Sequence, residues 1–370
     1  MGYVAVKGGT TAIEESIKRL RYERLKDGRV IEVEVIKSCM RGLIDRIMSE
    51  GSIYSRDLAA LAIKQAEGNP EEATFLLRAY RSTLPRMHYS RPIAPKDMCV
   101  ERRISSAFKD IPGGQILGAA YDYVHRLLDF DLYNESKREI LQWLHLYTET
   151  FSQEVPEDHG KLPKVIDLLR REGLMTETER DDTEPQDVTR DNIRFPTRRS
   201  ERLQILTRGE TGAVTALGYA AIRGYGIVHP TVGELRVGYL PVHLDYPMAN
   251  SQTEDDVIYI GEIQVTEVET LVPEVREENG KAKIEFSIGY GICYGQNETK
   301  AIAMSVLDNC LEKSHINSPV HDEEFVLMHI DCVEATGFIS HLKLPHYVTF
   351  QSELDSVRKT REGKQHDEKI

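Results

Sequence analysis

The chain has 370 residues, 40% hydrophobic and 29% charged, with 47 Lys and Arg against 60 Asp and Glu. This composition excludes a disordered chain, a collagen or a coiled-coil rod, and at roughly 100–200 residues per domain the length predicts two or three domains. The formal charge of −13 repels nucleic acid and anionic lipid, and no apolar run approaches the ~20 residues needed to cross a bilayer. The opening MGYVAVKGGTTA lacks the basic and apolar regions of a signal peptide. Val6 stands where a myristoylation signal requires Ser or Thr. The five cysteines, Cys39, Cys99, Cys293, Cys310 and Cys332, are odd in number and none are paired as C-x-x-C. They are expected to be reduced, buried and small, in a cytoplasmic protein, and not a disulfide, zinc-ribbon or iron–sulfur scaffold.

In chain order, YVAVK (3–7) reads as a short strand, and residues 10–150 read as mostly helical. DLAALAIKQA (57–66) suits a buried helix. Asn69 is placed to cap the next helix, with Pro70 at its first position. Ala73, Leu76, Leu77, Tyr80 and Leu84 then share one face. Residues 121–148 suggest another long helix. The stretch 177–191 holds seven acids and two arginines and reads as a solvated linker. It divides a mainly helical domain (1–176) from a mixed α/β domain (192–352), with a polar tail over 353–370. In the second half, 235–239 and 257–268 read as strands. Residues 284–294 alternate through Ile284, Phe286, Ile288, Tyr290, Ile292 and Tyr294, with Gly289 and Gly291 on the opposite face. Those glycines leave room for a backbone, a helix or a ligand. Asn297 is placed to cap a helix with Ala303, Val306, Leu307, Cys310 and Leu311 facing inward. The fold class is α+β: a helical N-terminal half, then an antiparallel sheet with packed helices.

Four stretches carry candidate chemistry. Residues 76–109 contain eight basic residues and two acids in an otherwise acidic chain, and a second run follows at Arg190, Arg194, Arg198, Arg199, Arg202 and Arg208. Guanidinium groups suit bidentate phosphate binding, although a solvated face or a contact with an acidic partner is the more common origin of such runs. KDIPGGQ (109–115) forms either a plain turn or a nest of N–H groups for an anion. CYGQNE (293–298) brings a strand end to a helix N-terminus, an arrangement that attracts phosphate. Finally, His341 and His346 flank Pro345. On a helix, five residues would splay them by ~500°, whereas a turn would bring them together. Two imidazoles supply half of a tetrahedral zinc shell, leaving water, a carboxylate, His329 or another chain to complete it.

Taken together, VAVKGG (4–9), LAALAIKQA (58–66), FLLRAYRSTL (75–84), ERRISSAFKDIPGGQILG (101–118), YDYVHRLLDF (121–130), RGYGIVHPTVGELRVGY (223–239), DEEFVLMHIDCVEATGF (322–338) and SHLKLPHYVTF (340–350) resemble the PhnI family, the ribosyl-transfer subunit of the carbon–phosphorus lyase machinery. Ala119-Ala120 and Thr349 depart from the family's Pro-Thr and Asp. The resemblance implies work with other subunits, among them a radical iron–sulfur subunit that later breaks the C–P bond. It implies displacement of the purine of ATP or GTP by methylphosphonate, giving α-D-ribose 1-methylphosphonate 5-triphosphate, and purine nucleosidase activity by the subunit alone. It also implies an interfacial zinc on His341 and His346.

That chemistry gives the charged residues roles. Arg78, Arg81, Arg102, Arg103 and Lys109 are expected to hold phosphates. One of Asp322, Glu323 and Glu324 is expected beside the sugar or the metal, since glycosidic cleavage develops oxocarbenium charge. Two alternatives remain. In one, the chain is a non-catalytic scaffold clamping the metal. In the other it is a free nucleoside hydrolase, which is disfavoured because residues 1–40 contain only one aspartate, Asp27.

Overall fold

The computed structural model describes residues 9–151, 162–175, 183–224, 229–246, 256–278, 281–313 and 318–367. Five helices come first: α1 (Gly9–Leu25), α2 (Val33–Cys39), α3 (Arg41–Gly51), α4 (Arg56–Gln65) and α5 (Pro70–Ser82). Ile36 of α2, Ile44, Ile47 and Met48 of α3, Ile63 of α4, and Ala73 and Leu77 of α5 close one apolar core. The α5 start forms as expected. Asn69 accepts the Glu72 N–H at 2.7 Å, and Pro70 occupies the first turn, where its missing N–H has no partner to lose. Tyr80 and Leu84 leave that core and are exposed.

Between 83 and 136 the structure corrects the helical expectation. This stretch holds strand β1 (Cys99–Ile104), two single 3-10 turns and otherwise irregular chain. The helix expected from residue 121 starts only at Lys137, as α6 (Lys137–Phe151). Arg126 takes a φ of 59°, outside the right-handed helical region. Leu127 and Leu128 are about four-fifths exposed, so no packing surface supports a helix there. The YVAVK strand lies outside the described residues. The expectation of buried cysteines holds for Cys293 and Cys332 but not for Cys39 and Cys99, which are exposed.

The remaining elements are α7 (Val165–Arg171), α8 (Arg199–Arg208), α9 (Thr211–Arg223), β2 (Thr231–Asp245), β3 (Val257–Glu278), β4 (Lys281–Tyr294), α10 (Glu298–Leu311), α11 (Glu323–His329), α12 (Cys332–Ser340) and α13 (Tyr347–Asp367). The four strands form one antiparallel sheet in sequence order. The first strand thus comes from before the acidic stretch. Of that stretch, Asp187 pairs with Arg86 at 3.1 Å and Val188 packs against the main core.

One face of the sheet is apolar. Leu235, Val237, Val268 and Cys293 meet Leu206 of α8 and Ala301, Met304 and Leu307 of α10. The glycines of β4 set how close α10 lies. A Cβ on Gly289 would stand 2.0 Å from the Ser305 carbonyl oxygen, and one on Gly291 would stand 2.1 Å from that of Ala301. It is therefore a helix backbone that fills the space the glycines open. The opposite face is charged, with Glu234 opposite Glu269, Arg236 opposite Glu267, and Arg103 opposite Arg236. Helix α7 covers part of it, with Ile166 and Leu169 beside Leu271.

Candidate functional site

The two arginine-rich runs converge in space. Helix α5 presents Arg78 and Arg81, the following loop Arg86, and helix α8 ends on Arg208. Arg78 is held on three sides: Nε donates to the Glu50 carbonyl at 2.8 Å, Nη2 to the Arg208 carbonyl at 2.9 Å, and Nη1 meets Asp331 Oδ2 at 2.5 Å. Arg81 donates to Thr189 Oγ1 at 2.5 Å. Its pKa is lowered by burial and by the neighbouring Arg86. The Arg208 guanidinium makes no hydrogen bond or ion pair within the described residues. Burial, with Arg78 and Arg81 alongside, brings its pKa down to about 10. Partly desolvated cations that repel one another are costly to hold empty. An anion that bridges them relieves both costs.

Arg102 and Arg103 do not join this group. Neighbours on a strand point to opposite faces, so the two cannot clamp one phosphate. Arg103 is wholly buried: Nε meets Glu234 Oε1 at 2.5 Å, and its Nη atoms donate to the carbonyls of Pro112 at 2.6 Å and Pro163 at 2.7 Å. The KDIPGGQ turn, with Gly113 and Gly114 at positive φ, therefore offers carbonyls to a cation. Arg102 passes to the other face. Its Nε and Nη2 reach the two carboxylate oxygens of Glu298 at 2.9 and 3.1 Å, and it also binds Asp122 and the Leu117 carbonyl. Lys109 is exposed on the loop.

The strand-to-helix turn at 293–298 already faces an anion. Asp45 Oδ2 of α3 accepts the Gln296 N–H at 3.0 Å. Burial raises the Asp45 pKa against the opposing effects of that N–H and of Arg56. Asn297 sits at the N-cap of α10, but its side chain donates to the Tyr294 carbonyl and leaves the helix uncapped. A cavity of about 470 Å3 opens here, between the first turns of α3 and α10 and the 119–126 loop.

The acidic trio divides. Asp322 caps α11 by accepting the Phe325 N–H at 2.9 Å. Glu323 accepts the Thr197 N–H at 2.8 Å and its hydroxyl. Glu324 is exposed. His341 and His346 do come together, across a single 3-10 turn, with ring centroids 5.2 Å apart. Both Nδ1 atoms lie against backbone carbonyls, that of His341 on Phe338 and that of His346, at 2.6 Å, on Leu344. This contact assigns the proton to Nδ1 and leaves Nε2 as a lone-pair donor, the usual arrangement behind a metal-binding imidazole. Two imidazoles on one tetrahedral ion, with Zn–N of about 2.0–2.1 Å, stand roughly 5 Å apart. The pair fits half of such a shell. No group of three or more metal-ligating side chains occurs among the described residues. Asp331, bound to Arg78, caps the start of α12, and His341 caps its end. The helix thus separates the cation group from the imidazole pair by ~15 Å at 1.5 Å per residue.

The structure brings Arg78 and Arg81 into one group and sets His341 beside His346. In the sequence Arg208 stands only as one member of a basic run, Glu298 only as the last residue of CYGQNE and Arg126 only within YDYVHRLLDF, whereas Arg41 and Asp45 carry no local signal. A model of the family described as bacterial phosphonate metabolism protein (PhnI) matches residues 2–364. HtxH of Stutzerimonas stutzeri, provisionally named a C-P lyase subunit protein, is 44% identical over 369 residues, 98% of this chain and 96% of its own length. The alpha-D-ribose 1-methylphosphonate 5-triphosphate synthase subunit PhnI of Escherichia coli (strain K12) is 42% identical over 98% of this chain and 99% of its own. That of Rhizobium meliloti (strain 1021) is 42% identical over 99% and 96%. A match of this extent, end to end, makes the chain a member of the PhnI family.

Proposed function

We propose that this chain transfers the ribosyl triphosphate of ATP or GTP to a phosphonate such as methylphosphonate, as a subunit of a carbon–phosphorus lyase assembly in the cytoplasm. The observation that carries this reading is the full-length likeness to two subunits named for that synthase. The product in that name keeps a triphosphate on C5 and bears the phosphonate on C1 in the α configuration. A ribonucleotide carries its base in the β configuration. One displacement with inversion connects the two, with phosphonate and base on opposite faces of the ribose. Water in place of the phosphonate would make the chain a purine nucleosidase.

Arg81 and Arg208 are the cations placed to receive the triphosphate, with Arg86 beside them and Arg78 fixing the frame. Holding both reactants in line lowers the entropic part of the barrier. Glu324 is the member of the acidic trio free to face the sugar or the metal. His341 and His346 would hold a zinc ion through Nε2, with the remaining ligands from solvent, substrate or a partner. Such an ion would supply Lewis-acid stabilisation of a bound oxygen. Tyr121, Leu127, Leu128, Tyr133 and Trp143 are all at least 60% exposed. Apolar surface of this extent supports work within an assembly, and the radical iron–sulfur subunit is the partner proposed for the zinc edge. No described helix is long and apolar enough to cross a membrane.

The test is chromatographic. The chain with its partner subunits is incubated with ATP and methylphosphonate, beside an H341A/H346A variant, and free adenine is measured. Adenine from the wild type supports ribosyl transfer, and its absence favours the scaffold reading. Zinc content should fall in the double variant. If it did not, the histidine assignment would fail.

A further inference from the structure

The cavity between α3 and α10 has walls of mixed character. Arg41, Arg126 and Gln296 bring donors, Asp122 and Glu298 bring acceptors, and Tyr121 brings an aromatic ring. Three features make it a built site. Arg102, only 3% exposed, fixes Glu298 and Asp122 together. The Gln296 amide is tied by bonds of 2.8 Å to Glu298 Oε1 and to the Ala119 carbonyl. Arg126 is set by its Nε–H donating to the Tyr121 carbonyl at 3.1 Å, with its guanidinium 5.7 Å from the Tyr121 ring centroid. Arg41 makes no hydrogen bond or ion pair within the described residues.

We propose that this cavity receives the purine of the nucleoside triphosphate, with Asp122 and Glu298 accepting from the base's N–H groups and Arg41 donating to its ring nitrogens. The inference rests on the ribosyl-transfer reading and adds the base subsite to it. The volume lies in the range of small-molecule pockets. Asp45, Asp122 and Glu298 on its wall offset Arg41 and Arg126, so the cavity offers no excess positive charge to a dianionic phosphonate, whereas a neutral heterocycle with donors and acceptors matches it. Its place fits as well. Helix α3 begins at the cavity with Arg41, and near its other end Glu50 accepts from Arg78. Those ends are ~14 Å apart at 1.5 Å per residue, a span comparable with an extended nucleoside triphosphate.

Gly42 lines the cavity, and a Cβ built there meets no atom within 4 Å. Gly42→Phe adds bulk without disturbing the core. With the full chain and its partners, titration of free adenine and of tripolyphosphate should show adenine affinity falling at least tenfold and tripolyphosphate affinity unchanged. The KM for ATP should rise alongside. The D122N/E298Q double variant, checked for folding by circular dichroism, should weaken adenine in the same sense. Unchanged adenine affinity in both variants would overturn the base subsite. Failure of the wild-type assembly to release adenine from ATP and methylphosphonate would instead overturn the ribosyl-transfer reading, and these two results are read in separate measurements.

Discussion

On the sheet, Arg103 and Arg236 meet Glu234 and Glu267, and Lys164 closes the row with bonds of 2.8 Å to Glu267 and 2.5 Å to Glu269. At the ends of α5 and α8, Arg81 and Arg208 meet other arginines. Both regions are built on arginines, but Arg103 and Arg236 are fully buried, whereas Arg81 and Arg208 are half-buried. The first is a neutralised internal network that joins strands to α7, where Val165 N also donates to Glu234 Oε2 at 3.0 Å. The second is matched only in part: Asp331 pairs with Arg78 and Asp187 with Arg86, but no carboxylate pairs with Arg81 or Arg208 among the described residues. Arginine count does not separate structural from binding roles, but the partners of each guanidinium do.

Single substitutions separate the two kinds of arginine. The largest effect is expected at Arg103→Met. Removing one member of a buried pair leaves Glu234 without its counter-charge, which costs about 3–5 kcal/mol. Urea unfolding should show that loss, and a change under 1 kcal/mol would contradict the structural role. Next comes Glu269, whose carboxyl is pushed up to about 7 by burial, with Glu267 adding to the shift and Lys164 opposing it. Because the folded state keeps this proton longer than the unfolded chain, stability should fall as pH rises from the usual value of 4.5 towards 7, then level off. Glu269→Gln should flatten that part of the pH profile, and an unchanged slope would show that Glu269 does not set it. The smallest stability effect is expected at Arg208→Met. Relief of repulsion from Arg78 and Arg81 offsets lost packing, so unfolding free energy should stay within about 0.5–1 kcal/mol. A loss of several kcal/mol would place Arg208 with the structural arginines.

Strand β4 and helix α10 were legible because each reports its surroundings locally. Alternation from Ile284 to Tyr294 marks a sheet, and Gly289 and Gly291 mark a close neighbour. The Asn69-Pro70 start of α5 was legible for the same reason, since cap and helix lie within four residues. Strand β1 was hidden. Its register shifts between Val100 and Arg102, and its partner strand begins more than 100 residues later. The fates of Arg102 and Arg103 were hidden too, because Glu298 and Glu234 reach them only through the sheet. The His341–His346 turn was readable from Pro345, whereas the base cavity joins α3, α10 and a loop that share no local pattern.

If the Arg81–Arg208 group is kept for a triphosphate, losing Arg208 must weaken nucleotide binding. The most direct test is ATP affinity, measured by calorimetry on the full chain with its partners, for the wild type and Arg208→Met at equal ionic strength. At least a tenfold loss is expected, with the fold intact. Equal affinity in the two proteins would contradict triphosphate binding by this group.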